Sequence, residues 1–435
     1  MNPRGGERMV RKMFGGALRR RSIWQRELIA GVTAFFAISY IIIVNPLILA
    51  DAGIPAELSV FATIFSSVIG CLLMAFVANA PIVLTPGMGI NAFFTYTVCV
   101  TMGLHWHEAI AISLVSGMIF AFVACTKWCL RLSQAVPASL KSAITAGIGL
   151  YLVEIGLAKA QLIQRGTSSI IALGSLTNPV ALLAIFGLLL SLALYLRGVM
   201  GSFFIAIIAT SLVGYFFGIH DEVPLDLNLA HLSRYPELLL QADFSQMLSI
   251  PFLLSVFSMS MIMIFETMGL LEGILPDQRK FKKTFEGSAF TTMFSSLLGT
   301  SPTVAAAESA AGIASGGRTG LMALTAAALF SLSLFFIPLL SFVPQAAIAP
   351  VIIITGAMMM QQLQNVDFDD FSEWFPAFLV IVLIPWSNSI STGLAFGFAA
   401  YPLLKVMNGR AREVHMLGYM LGFLFLLNLV FQAGF

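Results

Sequence analysis

The sequence predicts an all-α polytopic membrane protein built from two inverted repeats of seven spans each. Three observations support this prediction: the scarcity of charge, the recurrence of apolar segments and the placement of the basic residues. Hydrophobic residues make up 58% of the 435-residue chain and charged residues only 10%, whereas a soluble domain carries about 25% charged residues. So little charge cannot cover a water-facing surface for a chain of this length, and we expect most of its surface to face lipid.

Apolar segments recur almost without pause and divide the chain into units. We expect a basic N-terminal arm (1–27), a first seven-span repeat (28–217), an external loop (218–249), a second seven-span repeat (250–407) and a C-terminal apolar helix (408–435). The sequence leaves open whether this last segment, apolar over 414–433, crosses the membrane. The fourteen spans are predicted at 28–49, 57–78, 82–102, 108–127, 141–158, 179–196, 199–217, 250–272, 286–299, 301–315, 319–341, 345–363, 374–387 and 389–407.

Basic residues predict the orientation. The arm at 1–27 is rich in arginine and lysine, which favours a cytoplasmic anchor over a nucleic-acid-binding arm or a cleaved signal peptide. With the N-terminus inside, only Lys159, Arg165 and Arg234 of the 23 basic residues fall in outer loops. An odd number of spans per half gives the two halves opposite orientations, which is the condition for an inverted repeat. We therefore expect an integral protein of the cell (inner) membrane with a cytoplasmic N-terminus.

Two spans in matching positions are interrupted by proline and glycine. The third span of the first half opens with Thr-Pro-Gly-Met-Gly at 85–89, and the third span of the second half opens with Thr-Ser-Pro-Thr at 300–303. Irregular backbone at membrane depth is tolerated only where it is buried in protein or lines a cavity. We expect half-helices to begin near Ile90 and Val304, with their positive ends toward the middle of the bilayer. Simple kinks in packed helices are the alternative, but the matched positions favour a transport site.

Two carboxylates lie deep in apolar segments, at Glu266 and Glu308. A charge at the centre of a membrane helix costs about 3 kcal/mol on insertion scales. Each group therefore either carries a proton part of the time or binds a partner that offers N–H groups or positive charge. A structural hydrogen bond to a neighbouring helix is the alternative. Because the two residues fall in the first and third spans of the same half, the sequence favours a functional pair.

Several other residues have two interpretations. Asn91 could contact a ligand beside these carboxylates, or it could cap the half-helix that it begins. Four aromatic residues could stack on a flat ligand, although packing is the commoner role for aromatics in a chain with 37 phenylalanines; they are Tyr40, Phe93, Phe94 and Tyr96. The acidic segment 367–373 is expected to be a solvated turn.

No catalytic or metal-binding pattern accompanies these residues. The four cysteines have no spacing with histidine that is typical of a metal site, and the five histidines fall in or near the predicted loops. We therefore expect no metal, no cofactor and no intramembrane enzyme chemistry.

These motifs resemble the AzgA-like purine permeases, a branch of the nucleobase–cation symporter family 2, also called the nucleobase–ascorbate transporter superfamily. The similarity extends from the first span to the eleventh. The matching stretches are YIIIVNPLIL (40–49), TPGMGINAFFTY (85–96), PASLKSAITAGIGL (137–150), FETMGLLEG (265–273) and GTSPTVAAAESAAGIASGGRTGL (299–321).

The resemblance implies a fold and an activity. The fold would be a seven-plus-seven inverted repeat with a core domain and a gate domain. The activity would be import of purine bases (adenine, guanine and/or hypoxanthine) by proton symport, with a sodium gradient as the alternative coupling. An anion or other small-solute transporter of the same fold is the competing function. The implied partners are the purine base and membrane lipid, and nucleic acid is not expected. Whether the protein forms a homodimer is left undecided.

The resemblance also implies which residues bind the base. Glu266 and Glu308 match the acidic positions that hold it, and both are candidates for proton coupling. The residues expected to line the same site are Asn91, Ala92, Phe93 and Ala307. The branch usually carries aspartate at the position of Glu266, and one extra methylene group would change which purine fits. The apolar segment at 414–433 is a second departure from the family pattern.

The predicted topology can be tested by cysteine labelling. A single cysteine at Asp226 should react with a membrane-impermeant maleimide in intact cells, because 218–249 is expected outside. A cysteine at Lys282 should be protected until the cells are permeabilised. The reverse pattern would overturn both the orientation and the inverted repeat.

Overall fold

The computed structural model describes residues 21–166, 171–219 and 228–433. Most of the basic arm, residues 1–20, and residues 220–227 of the loop expected outside lie beyond the described chain. The elements of the first half are α1 (Arg21–Ile38), α2 (Ile41–Asp51), α3 (Ala56–Leu73), β1 (Leu84–Pro86), α4 (Met88–Ala92), α5 (Trp106–Cys125), α6 (Trp128–Ala135), α7 (Ala138–Lys159), β2 (Ile163–Arg165), β3 (Ile171–Leu173), α8 (Pro179–Leu196) and α9 (Ser202–Phe216). Those of the second half are α10 (Ile250–Ile274), α11 (Phe281–Leu297), β4 (Thr303–Ala305), α12 (Ser309–Ala314), α13 (Gly320–Ser333), α14 (Gln345–Met359), α15 (Phe371–Trp386), α16 (Ile390–Met407) and α17 (Met416–Ala433).

The described chain is almost wholly helical and apolar, which confirms the predicted class. Nine helical segments in the described ranges are long and apolar enough to cross a membrane, and four shorter apolar helices accompany them. The short helices are Met88–Thr101, Ser202–Phe216, Phe371–Trp386 and Met416–Phe431. The count of fourteen crossings stays a prediction.

The helices form two bundles. The first, which we call the strand bundle because β1 and β4 lie within it, contains α1–α5 and α10–α13. The second, which we call the flanking bundle, contains α7–α9 and α14–α16. The bundles meet where α7 contacts α4 and α10, where α10 contacts α16, and where α9 contacts α1. Helices from both halves of the sequence therefore build each bundle.

The two interrupted segments pair with each other at the centre of the strand bundle. Strands β1 and β4 are antiparallel, with Thr85 opposite Val304. Two further backbone bonds flank the ladder, from Gly87 N to Pro302 O (3.1 Å) and from Ala306 N to Val83 O (3.0 Å). Pairing satisfies the polar groups that irregular backbone would otherwise leave bare at membrane depth.

This pairing corrects the predicted starts of the half-helices. The first begins at Met88, two residues before Ile90, and continues as a π-helical stretch, Phe93–Thr101. The second begins at Ser309 and not near Val304, because Val304 belongs to β4. With only six residues, α12 carries a far smaller dipole than the expected half-helix.

Three further local features differ from the sequence prediction. The first span is broken at Ser39 and Tyr40 into α1 and α2. A short helix, α6, and the hairpin of β2 and β3 lie in segments predicted to be loops. In each case the predicted span boundaries were close, but apolar periodicity carries no signal for a break or a short loop element.

The acidic segment 367–373 is partly tied down, where we expected a solvated turn. Asp370 and Glu373 lie 3.3 and 2.9 Å from the ammonium nitrogen of Lys405, whose side chain is only 3% exposed. Hydrogen bonds from Ser372, together with Lys405, lower the pKa of Asp370 to about 2. The prediction was wrong for Asp370 and Glu373, because their cation comes from α16, far along the chain, whereas Asp367 and Asp369 are exposed as expected.

The C-terminal helix packs against the flanking bundle. α17 lies along α16, and its buried Asn428 donates to Ser258 of α10 (3.3 Å) and Ser391 of α16 (3.4 Å). A buried amide with partners on two other helices fixes the rotation of α17. This apolar segment is thus an integrated part of the described fold.

Helices α7 and α14 approach each other through two glycines. A methyl group at Gly356 would lie 2.4 Å from Gly149 O, and one at Gly149 would lie 2.5 Å from Gly356 O. Real Cβ atoms do not come this close to a carbonyl oxygen, so the pair sets the distance between the helices.

We expect Gly356→Ala to lower the free energy of unfolding by about 1–3 kcal/mol, because overpacking at backbone contact forces the helices apart. Gly273→Ala is the matched control, since a methyl group there meets no atom within 4 Å. Thermal unfolding in detergent measures both variants. A Gly356→Ala midpoint equal to that of Gly273→Ala would contradict the close approach.

Candidate functional site

The candidate site lies where the strand bundle meets the flanking bundle. One residue, Gly87, separates β1 from α4, and three residues separate β4 from α12. α10 contacts α4, β4 and α12 on one side and α7 of the flanking bundle on another. The pairing of the two strands therefore places the starts of α4 and α12 beside the same face of α10.

Glu266 projects from α10 toward the start of α4. A methyl group on Gly89 would lie 3.4 Å from Glu266 Oε1. The other oxygen, Oε2, is buried and has no hydrogen-bond partner among the described residues. Buried carboxylate oxygens are normally paired, so this atom is available to a donor that the described chain does not supply.

Asn91 lies on α4, four residues after the Gly87 that precedes the helix. It does not cap α4, so the capping alternative is excluded. Its side chain is fully buried, and neither Nδ2 nor Oδ1 has a partner in the described ranges. A buried amide left without partners costs about 1–3 kcal/mol per lost bond, which favours a polar ligand beside it.

Glu308 directly precedes α12 and contacts a tyrosine. Its Oε1 accepts a hydrogen bond from the hydroxyl of Tyr40 at 2.5 Å. Among the described residues no ion pair involves Glu308 or Glu266, so protein cations do not neutralise either carboxylate. Next to Glu308, Ala307 is exposed although its neighbour Ala306 and all three residues of β4 are buried, so exposure begins in the turn between β4 and α12.

Of the remaining residues predicted to line the site, some lie close to it and one does not. Ala92 and Phe93 are fully buried at the junction of α4 with its π-helical continuation. Phe94 is also fully buried. Tyr96 instead donates to Asp51 at 2.7 Å, at the far end of α2. The structure therefore brings Glu266, Asn91 and Glu308 to adjoining elements, and Tyr96 points elsewhere.

Ion pairs join the two bundles at both ends of α7. Lys159, its last residue, contacts Asp51 of α2 at 2.7 Å. Lys141, in its first turn, contacts Glu272 of α10 at 3.4 Å. At about 1.5 Å rise per residue the two lysines stand roughly 27 Å apart, close to the thickness of the bilayer core. The bundles are thus bridged on both sides of the candidate site.

Two contributors had little signal in the sequence. Gly89 matters because it lets α4 approach α7: a methyl group there would lie 2.7 Å from Ile148 Cγ2. Only the glycine-rich start of α4 hinted at a close approach. Thr355 on α14 donates to the Tyr40 hydroxyl at 3.4 Å. A threonine in an apolar helix gives no sequence signal of such a contact, because its hydroxyl usually bonds within its own helix.

The chemistry of the site suits an uncharged ligand with N–H groups. Glu266 offers acceptors, Asn91 offers both a donor and an acceptor, and the surrounding elements are apolar. A cluster of three or more metal-ligating side chains is absent from the described ranges. Hydrogen bonding to a small polar molecule is what these groups can do.

The chain matches a family model described as "Permease family" over residues 25–396. The nucleobase transporter PlAzg2 of Paenibacillus larvae is 41% identical over 386 residues, covering 88% of this chain and 78% of that protein. The guanine/hypoxanthine permease PbuO of Bacillus subtilis is 38% identical over 424 residues, covering 93% and 97%.

A solved structure gives an independent comparison of the fold. The transmembrane domain of the cyanobacterial bicarbonate transporter BicA superposes with a TM-score of 0.58 at 17% identity, covering 88% of this chain and 96% of that one. At this identity the similarity concerns the fold alone. Because the family model and the relatives match most of the chain, the protein belongs to the permease family, in its AzgA-like branch, and is a transporter rather than an enzyme.

Proposed function

We propose that the protein imports purine bases, namely guanine, hypoxanthine and/or adenine, across the cell membrane. The observation that carries this proposal is the pair of buried, unpartnered polar groups on adjoining elements, Glu266 Oε2 and the Asn91 amide. The names of the relatives, a nucleobase transporter and a guanine/hypoxanthine permease, support the same class of substrate.

A purine base fits these groups by its chemistry. It is flat and uncharged, and it presents N–H donors next to ring-nitrogen or carbonyl acceptors along its edges. A carboxylate accepts two adjacent N–H bonds, and an amide donates and accepts at once. Leaving one buried donor unpaired costs about 1–3 kcal/mol, so a ring with the wrong edge binds less tightly by roughly tenfold or more.

Glu266 and Glu308 have different roles, one in binding the base and the other in coupling import to the proton. Glu266 binds the base, and Glu308 takes up the proton that drives import, although each is a candidate for either role. Two carboxyl groups beside one site disfavour double ionisation, so loading one with a proton assists ligand binding at the other. Proton entry and base binding are linked in this way, and import follows the proton gradient.

Movement of the two bundles past each other exposes the site to each side in turn. The strand bundle is the core domain and the flanking bundle is the gate domain of a seven-plus-seven inverted repeat. The ion pairs at Lys141 and Lys159 close the inner and outer ends, respectively, with the N-terminus in the cytoplasm. Opening to one side requires that the pair on that side separates.

The competing function, transport of an inorganic anion, receives less support. An anion site needs positive charge, whereas two carboxylates stand at this one and neither is paired with a described cation. The similarity to a bicarbonate transporter concerns the fold only.

Uptake of radiolabelled hypoxanthine, guanine and adenine tests the proposal. Glu266→Gln should lose binding and uptake by about tenfold or more, because an amide replaces one acceptor by a donor facing an N–H group. Glu154→Gln is the matched control, since this glutamate lies half-buried on α7 and outside the site.

The coupling is tested in the same assay. A protonophore should collapse uptake by the wild type, and Glu308→Gln should retain base binding while losing accumulation against a gradient. Undiminished uptake in both variants, or uptake that follows sodium and ignores the proton gradient, would refute the mechanism. Uptake of bicarbonate or sulfate in preference to bases would favour the anion transporter.

A further inference from the structure

Tyr40 lies at the break in the first span, between the end of α1 and the start of α2. Its side chain is fully buried. The ring packs edge-on against Phe203 of α9, with 5.9 Å between ring centroids. This packing keeps the ring from stacking on a ligand and leaves only the hydroxyl to act.

The hydroxyl makes two hydrogen bonds of opposite sense. It donates to Glu308 Oε1 at 2.5 Å and accepts from Thr355 Oγ1 at 3.4 Å. A tyrosine hydroxyl has a single proton to donate. That proton is committed to Glu308, so Thr355, Tyr40 and Glu308 form one directed chain of hydrogen bonds.

This chain crosses the boundary between the bundles. Tyr40 and Glu308 belong to the strand bundle, whereas Thr355 on α14 and Phe203 on α9 belong to the flanking bundle. Unlike the ion pairs at the two ends of α7, it connects the bundles through a carboxylate of the candidate site itself. The position of the flanking bundle and the hydrogen bonding of Glu308 are therefore linked by a single hydroxyl.

We propose that Tyr40 is a positioning residue that stabilises the arrangement closed at both ends by tying Glu308 to Thr355. This inference rests on the proposed transport function, because it concerns the step in which the bundles move. The Thr355–Tyr40 bond forms when the bundles close and separates when they open to either side, so it stabilises the closed arrangement alone.

The direction of the effect on transport follows from the order of states. Each cycle passes through the arrangement closed at both ends, so destabilising it raises the barrier to reorientation while the open states still bind the base. The bond that joins the bundles, from Thr355 to Tyr40, links two neutral hydroxyls, so its loss should lower the rate by roughly two- to tenfold. The maximal rate should therefore fall and KM should change little.

The variant Tyr40→Phe tests the positioning role of Tyr40, because it removes the hydroxyl and keeps the ring against Phe203. We expect a fall of about three- to tenfold in the maximal rate of hypoxanthine uptake, with KM and the Kd of the purified protein within about twofold of wild type. Thr355→Val removes the other end of the tie and should act in the same direction. The double variant should be no slower than Tyr40→Phe alone, because both changes break one chain.

Tyr235→Phe is the matched control. Tyr235 lies in the segment between α9 and α10, and its hydroxyl donates to the backbone carbonyl of Leu298, just after α11, at 3.0 Å. It should lower thermal stability about as much as Tyr40→Phe and leave the maximal rate within about twofold.

The outcomes separate the two proposals. A maximal rate within about twofold of wild type in Tyr40→Phe, multiplying losses in the double variant, or equal loss in Tyr235→Phe would each overturn the role of Tyr40. Failure of the wild type to bind or take up any purine would instead overturn the proposed function. Normal binding and uptake by the wild type keep that function whichever way the Tyr40 variants behave.

Discussion

The fold depends on the pairing of two short strands in the middle of a helical membrane protein. Lipid offers no hydrogen bonds, so backbone that leaves the helical path at this depth must find partners within the protein. Thr85 and Val304 stand opposite each other in a ladder of three residue pairs, and Gly87 N and Ala306 N extend it at either end. Each interrupted span supplies hydrogen-bond partners for the backbone groups of the other. Because the partners come from opposite halves of the chain, this pairing joins the halves and fixes where α4 and α12 begin.

The candidate site follows from that constraint. Once the strands are paired, the starts of α4 and α12 lie beside α10, which brings Glu266 next to Gly89 and leaves the Asn91 amide buried without a partner. Unpaired buried polar groups destabilise a folded protein, and under the proposed function a bound base would supply their partners. Glu308 differs because it already has a partner in Tyr40. The two carboxylates therefore have different surroundings: Glu308 has a hydrogen-bond donor beside it, and Glu266 Oε2 has none among the described residues.

Much of this arrangement could be predicted from the sequence, for specific reasons. Long apolar segments fix the class and most span boundaries, and proline with glycine at 85–89 and 300–303 marks the interrupted spans. Glu266 and Glu308 stand out because ionisable residues in apolar segments are costly. The start of the second half-helix was misplaced at Val304 because the sequence does not reveal that these residues pair as a strand. The partners of Glu308 and Lys405 escaped prediction as well, since contacts between residues distant in the chain depend on how the bundles pack.

The measurement that tests the central claim most directly is an experimental structure of the protein with hypoxanthine bound. We expect the base between the starts of α4 and α12, with an N–H group within hydrogen-bond distance of the Glu266 carboxylate and a ring edge against the Asn91 amide. β1 and β4 should remain paired in that complex. A base bound elsewhere, with Glu266 Oε2 and Asn91 still without partners, would contradict the account.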